Sequence, residues 1–230
     1  MMYVSYSNWL AAPRPVDCES NLFAIGDIHG HANELLALHE VIRREIAANP
    51  DLNHQVIHLG DYIDRGPESR KVLKILASGI GIPIKEVFLV GNHDQFLREL
   101  LNLNPDVDKY FINNWYENGG IATMRSLGVD GYGRLIDSSD LGELRARTIH
   151  ALGEDLVEFL YSLETIYQDG EYVFVHAGID PRRNISDQEF ADLLLVREPF
   201  LSSEASWKHS FCVVHGHSVS APAVCSHRIS

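Results

Sequence analysis

Aspartate, asparagine, histidine and arginine recur in five short clusters, each beside a glycine. Those residue types bind divalent metals and clamp phosphate. The clusters are Gly26-Asp27-Ile28-His29-Gly30, Gly60-Asp61-Tyr62-Ile63-Asp64-Arg65-Gly66, Gly91-Asn92-His93-Asp94, His176-Ala177-Gly178 and His215-Gly216-His217. Carboxylate, amide and imidazole donors without a thiolate suit manganese, iron or zinc about equally. The glycines let the backbone turn sharply, so that neighbouring loops converge. Any one cluster alone reads equally as a turn, a helix N-cap or a surface ion pair. Five in order, each closing an apolar strand, read as one site.

The strands that must carry these clusters are short and apolar. Leu22–Ile25, Val56–Leu59 and Val87–Val90 each end at the glycine that opens a cluster. Helices are expected over Asn33–Ala48, Glu68–Ala77 and Asp94–Leu103. The first carries Leu35, Leu38, Val41, Ile42 and Ile46 on one face and stops at Asn49-Pro50. The second has Pro67 near its first turn, and the third stops near Pro105. Strands alternating with helices predict an α/β layered domain, and such folds build sites just past strand C-termini. Residues 104–169 break the rhythm and read as a mainly helical cap inserted into the sheet domain. Tyr172–Val175 and Phe211–Val214 return to strand character. Residues 1–20, broken by Pro13 and Pro15, read as an N-terminal arm, and 21–230 as the catalytic domain.

Composition limits the partners. The chain has 230 residues, and Lys+Arg 19 against Asp+Glu 32 gives a net charge of −13. Such a chain repels nucleic acid and anionic lipid at long range, so neither is an expected partner. No apolar run approaches the ~18 residues of a membrane span. Cys18, Cys212 and Cys225 form no CxxC pair, and the expectation is a reduced, cytoplasmic protein without disulfides. A GxSxG elbow and a GxxxxGK[ST] phosphate loop are both absent from the sequence.

Taken together, GDIHG, GDYIDRG, GNHD, HAG and the late GH resemble the metal-dependent phosphoprotein phosphatases of the metallophosphoesterase superfamily. The bacterial and phage serine/threonine branch looks nearest, and WYENGGIATMRSLG (Trp115–Gly128) and LLLVREPF (Leu193–Phe200) are similar to it as well. The resemblance implies a two-sheet β-sandwich flanked by helices and two divalent ions, manganese first, iron or zinc otherwise. By motif, Asp27 and His29 would hold one metal, Asp61 would bridge, and Asn92, His176 and His217 would complete the other. His215 would then be held back from the metals. A water activated between the ions would attack phosphorus, with His93 as general acid oriented by Asp94. Arg65 and Arg197 would clamp the phosphate, Asn92 would also touch substrate, Asp64 would buttress its loop and Tyr62 would be structural.

The implied activity is hydrolysis of phosphate monoesters, on a phosphoserine or phosphothreonine protein or a small phosphoester. The alternative is a diadenosine tetraphosphate hydrolase, whose branch shares the metal motifs. A non-catalytic scaffold fits less well, because every ligand position is filled. The family's domain continues past Gly-His with further strands. Ser226-His227-Arg228-Ile229 reads as their start, so the C-terminal strands are expected to be truncated, with an open sheet edge. The sequence leaves the oligomeric state open.

Overall fold

Alternate residues of a strand point to opposite faces, and here each face meets a different apolar layer. In the computed structural model, which describes residues 7–8, 10–16, 19–102, 108–129, 141–203, 207–219, 221 and 223–230, Val56 faces helices and Ile57 faces a second sheet. The first sheet is parallel, in the order β1 (Ser20–Ile25), β2 (Asn53–His58), β3 (Lys85–Phe88). Helices α1 (Ala32–Ala48) and α2 (Ser69–Ala77) make the crossovers that parallel pairing requires. The second sheet runs β4 (Ile166–Asp169), β5 (Tyr172–Val175), β6 (Cys212–Val214), β7 (Arg228–Ile229), antiparallel in its first pair and parallel in the others. Ile57, Leu59, Val87 and Leu89 bury against Tyr172, Phe174, Cys212 and Val214 between the sheets. The outer face of the first sheet packs on α1, α2 and the helices that follow. This is the helix-flanked α/β sandwich that the resemblance implies.

α3 (Asn92–Asn102) starts inside the third cluster, two residues earlier than the sequence suggests. Then come α4 (Lys109–Trp115), a π-helical turn over Tyr116–Gly120, α5 (Ile121–Leu127), α6 (Leu141–Leu152) and α7 (Glu154–Ser162). Asp108 caps α4 by accepting the Tyr110 and Phe111 N–H groups at 2.8 Å each. The helical stretch ends at Ser162, not Asp169, because β4 belongs to the second sheet. Four residues are too few for periodicity to separate a strand from the helix before it. For the same reason α8 (Phe190–Leu195) and the two-residue β7 leave little trace in the sequence. β7 forms from the stretch read as the start of further strands, and β1 begins at Ser20, the last residue of the expected arm. The arm's Arg14 is tied down, its carbonyl accepting the Tyr172 hydroxyl at 2.7 Å. Neither Cys212 nor Cys225 is in a disulfide among the described residues, and Cys18 lies outside them. No helix among the described residues is long and apolar enough to cross a membrane.

One expected core residue is misplaced. Leu38 is 41% exposed at the edge of the α1 stripe, and His39 is buried in its stead. His39 lies edge-on to buried His58, which sits 3.5 Å from Glu86. Burial first, then the charges of His58 and Arg43, push the His39 pKa down to about 4 against the opposing pull of Glu86. The unfolded chain therefore takes up a proton below its ordinary value of about 6.5 while the folded protein does not. Stability should fall as pH drops from about 6.5 towards 4, with a His39 share of about 2 kcal/mol at pH 5. Urea midpoints at pH 7.5 and 5 check this. His39→Gln should remove that share of the pH difference, and an unchanged difference would contradict the assignment.

Candidate active site

Backbone hydrogen bonds stitch the first two clusters together at the strand ends. Ile28 and His29 donate to the Asp61 carbonyl at 3.0 and 2.9 Å, Gly30 donates to Tyr62 at 2.9 Å, and Gly66 donates to His29 at 3.0 Å. The approach is close enough that a Cβ at Gly91 would run into the backbone N and the carboxylate of Asp61. Five non-glycine residues have left-handed backbone among those described: His29, Asp61, Asp64, Arg65 and His217. All five lie in the clusters, where strained conformations tend to concentrate.

Asp61 is the centre. It is 1% exposed, with Oδ2 at 3.6 Å from His29 Nε2 and Oδ1 at 3.4 Å from His176 Nε2. Two triads share it: His29, Asp61 and His93, and Asp61, His176 and His217, each with donor atoms within 4.8 Å of one another. Asn92 Oδ1 lies 3.0 Å from His176 Nε2 and 2.9 Å from His217 Nδ1. Asp27 Oδ1 accepts the His217 N–H at 3.0 Å, and its Oδ2 is 3.9 Å from His29 Nε2. His217 thus joins the cluster, whereas His215 packs edge-on against Phe200.

The donor set fits divalent cations. His29 Nδ1 and His176 Nδ1 face the carbonyls of Ile63 and Leu59 at 2.9 and 2.8 Å, so each ring keeps its proton there and turns Nε2 inward. Inward-facing lone pairs of Asp61, Asn92 and His176 then converge with no donor between them, an arrangement that calls for a cation. Without one, protons fill the gap. Burial opposes charge on His176, but Asp61 outweighs it and raises its pKa to about 9. Burial is likewise overcome at Asp61, whose pKa is lowered by His176, His93 and His29. Burial holds His29 low, and holds His217 down at about 4 with help from His176 and from exposed Arg197.

The orienting group of His93 differs from expectation. Its Nδ1 lies 2.7 Å from Asp64 Oδ2, not on Asp94. His93 and Asp94 are consecutive in the first turn of α3, and adjacent helical side chains point about 100° apart. Asp94 instead accepts the backbone N–H groups of Asp61, Tyr62 and Gly91 at 2.8, 3.0 and 2.9 Å. Burial and the nearby Asp61 push its pKa up to about 7. Asp64 does more than buttress its loop: its fully buried carboxylate also accepts Trp115 Nε1–H at 2.8 Å and Thr123 Oγ1–H at 2.6 Å. Burial lowers the His93 pKa, but the hydrogen bond to Asp64 and the charges of Asp61 and Asp64 leave it raised. Tyr62 is structural, its hydroxyl donating to Leu89 O at 2.6 Å. Arg65 straddles the two histidines of the first triad, Nη1 donating to His29 Nε2 at 2.7 Å and Nη2 to His93 Nε2 at 3.0 Å. Trp115 and Thr123, which reach in from the helical insertion, carry no catalytic signature in sequence. Their only signal is the segment likeness around Trp115–Gly128.

A helix-flanked sandwich with two Asp- and His-lined triads sharing one aspartate at its strand ends defines the metallophosphoesterase class. The chain belongs to the calcineurin-like phosphoesterase family, whose family model matches residues 21–228. It is 27% identical over 163 residues to the symmetrical bis(5'-nucleosyl)-tetraphosphatase of Methylococcus capsulatus, covering 71% of this chain and 45% of that protein. Against the protein of that name from Nitrosospira multiformis it is 24% identical over 191 residues, covering 83% and 54%. The chain spans about half the length of these curated relatives. In fold it is similar to the crystal structure of a candidate diadenosine tetraphosphatase, with TM-score 0.55, 19% identity and coverage of 88% of this chain and 77% of that one. These relatives bear the name of the dinucleotide branch, which the motifs put second to the phosphoprotein branch.

Proposed function

We propose that the chain hydrolyses dinucleoside polyphosphates such as diadenosine tetraphosphate, cutting symmetrically to leave two nucleoside diphosphates. The observation that carries this reading is its likeness, over most of its length, to two symmetrical tetraphosphatases. The site suits a polyanion. Asp27, His29, Asp61, Asn92, His176 and His217 would hold two divalent ions, with Asp61 between them. Such ions supply charge neutralisation on phosphoryl oxygens and a water of lowered pKa. Arg65 turns its forked donors from the two imidazoles to the phosphate, and Arg197 adds positive charge at the rim. That turn frees His93 Nε2, which hands a proton to the departing phosphate oxygen while Asp64 holds the ring. A phosphate oxygen leaves more readily than a serine or threonine alkoxide, so the demand on His93 is smaller here than on a phosphoprotein.

The test gives Mn²⁺-reloaded protein diadenosine tetraphosphate and a phosphothreonine peptide side by side. ADP should be the only nucleotide product, and kcat/KM should favour the dinucleotide by at least about tenfold, or roughly 1.4 kcal/mol of transition-state stabilisation. AMP with ATP would overturn symmetric cleavage. Preference for the peptide would restore the phosphoprotein reading.

A further inference from the structure

Beside Asn92 opens a cavity of about 200 Å³ with a wholly apolar exposed wall. Phe96 and Phe111 line it, together with α8, which contributes Phe190 and Leu195, 44% and 56% exposed. An aromatic series leads into it from the candidate general acid: His93 to Phe96 at 6.4 Å between ring centroids, then Phe96 to Phe111 at 5.1 Å. Gln95 also lines the cavity. Its Nε2 donates to Glu99, which fixes the amide orientation and leaves Oε1 buried with no hydrogen-bond partner among the described residues. That oxygen is not part of the exposed wall, so the cavity offers an occupant aromatic and aliphatic surface.

We propose that this cavity is the subsite for a nucleobase of the substrate, such as adenine. The idea rests on the dinucleoside polyphosphate reading and deepens it. The occupant must be flat enough to stack on Phe111 and Phe190 and uncharged against the acidic Glu99. It must also be joined to a phosphate chain, because Asn92 lines both the cavity and the metal site. An aliphatic side chain meets only the apolar requirement, and adenine meets all of them. The base sits under α8 while its phosphates extend past Asn92 to Arg65.

Calorimetric titration of the Mn²⁺-loaded chain with ADP and with pyrophosphate, which has the charge but no base, tests this. Wild type should bind ADP about tenfold or more tighter than pyrophosphate, within the range of base–aromatic stacking. Phe111→Ala should narrow that gap severalfold and leave pyrophosphate binding alone. Phe190→Ala, at an exposed position with little risk to folding, should do the same and raise KM for diadenosine tetraphosphate with kcat near wild type. ADP affinity unchanged in Phe190→Ala, or ADP no tighter than pyrophosphate in wild type, overturns the subsite. The two readings fail separately. Base-dependent ADP binding without dinucleotide turnover sinks the activity and keeps the subsite. Turnover with a KM indifferent to Phe190→Ala does the reverse.

Discussion

Asp64→Asn should lower kcat on diadenosine tetraphosphate by about 10²-fold while KM and metal content stay close to wild type. The substitution is isosteric. The remaining oxygen can still accept from His93 and Trp115, and the new amide can face the Thr123 hydroxyl, which rotates to accept it. The fold should survive, and the loss should fall on the charge that stabilises protonated His93. A monoester with an alkoxide leaving group should suffer more, because its departure depends more on a proton. Steady-state kinetics on both substrates, with elemental analysis for metal, check this. Wild-type turnover on both would remove Asp64 from the proton-handling role and return the question to His93 itself.

Asp94→Ala should act on stability instead. It would leave three buried N–H groups, on Asp61, Tyr62 and Gly91, without their acceptor. At about 1–3 kcal/mol for each unsatisfied group, partly relieved by water, the cost should reach about 3 kcal/mol. For a domain of this size that lowers Tm by about 6–12 °C. Thermal unfolding of the metal-free variant measures it directly. A Tm within about 2 °C of wild type would mean that Asp94 does not pin the loops that carry Asp61. The two aspartates therefore separate by readout, one in rate and one in melting, although the sequence assigned the His93 partnership to the wrong one.

That exchange shows what a sequence can carry. The clusters were legible because each sits where a short apolar run meets a glycine, and parallel pairing of β1 with β2 and β3, and of β5 with β6, brings those ends side by side within each sheet. Asp27, His29, Asp61, Asn92, His176 and His217 could be picked out through the motif resemblance, since residue type alone does not separate His217 from His215. The partner of His93 could not, because a hydrogen bond between residues 64 and 93 depends on how two loops lie across each other. Adjacency in sequence pointed to Asp94, and helix geometry rules that contact out. Trp115 and Thr123 were illegible for a related reason: an indole and a hydroxyl within an amphipathic stretch look like ordinary core and surface. The cavity beside Asn92 joins residues from 92 to 195 and has no local pattern at all. Short elements such as β4, α8 and β7 escaped because two to six residues hold at most two periods of a repeat.

The five left-handed residues have a consequence for how this protein can be improved. Each such backbone state costs a non-glycine residue about 1 kcal/mol or more, and glycine would largely escape that cost. A population of variants selected only for heat resistance should therefore drift towards glycine at positions 65 and 217, whose side chains are not buried, gaining melting temperature as it discards the phosphate clamp and a ligand. Buried Asp61 and Asp64 are instead held by the donors they satisfy. Selection for turnover pulls the other way at positions 65 and 217. The site is where robustness and activity compete most directly, and a screen that scores only one of them will lose the other there first.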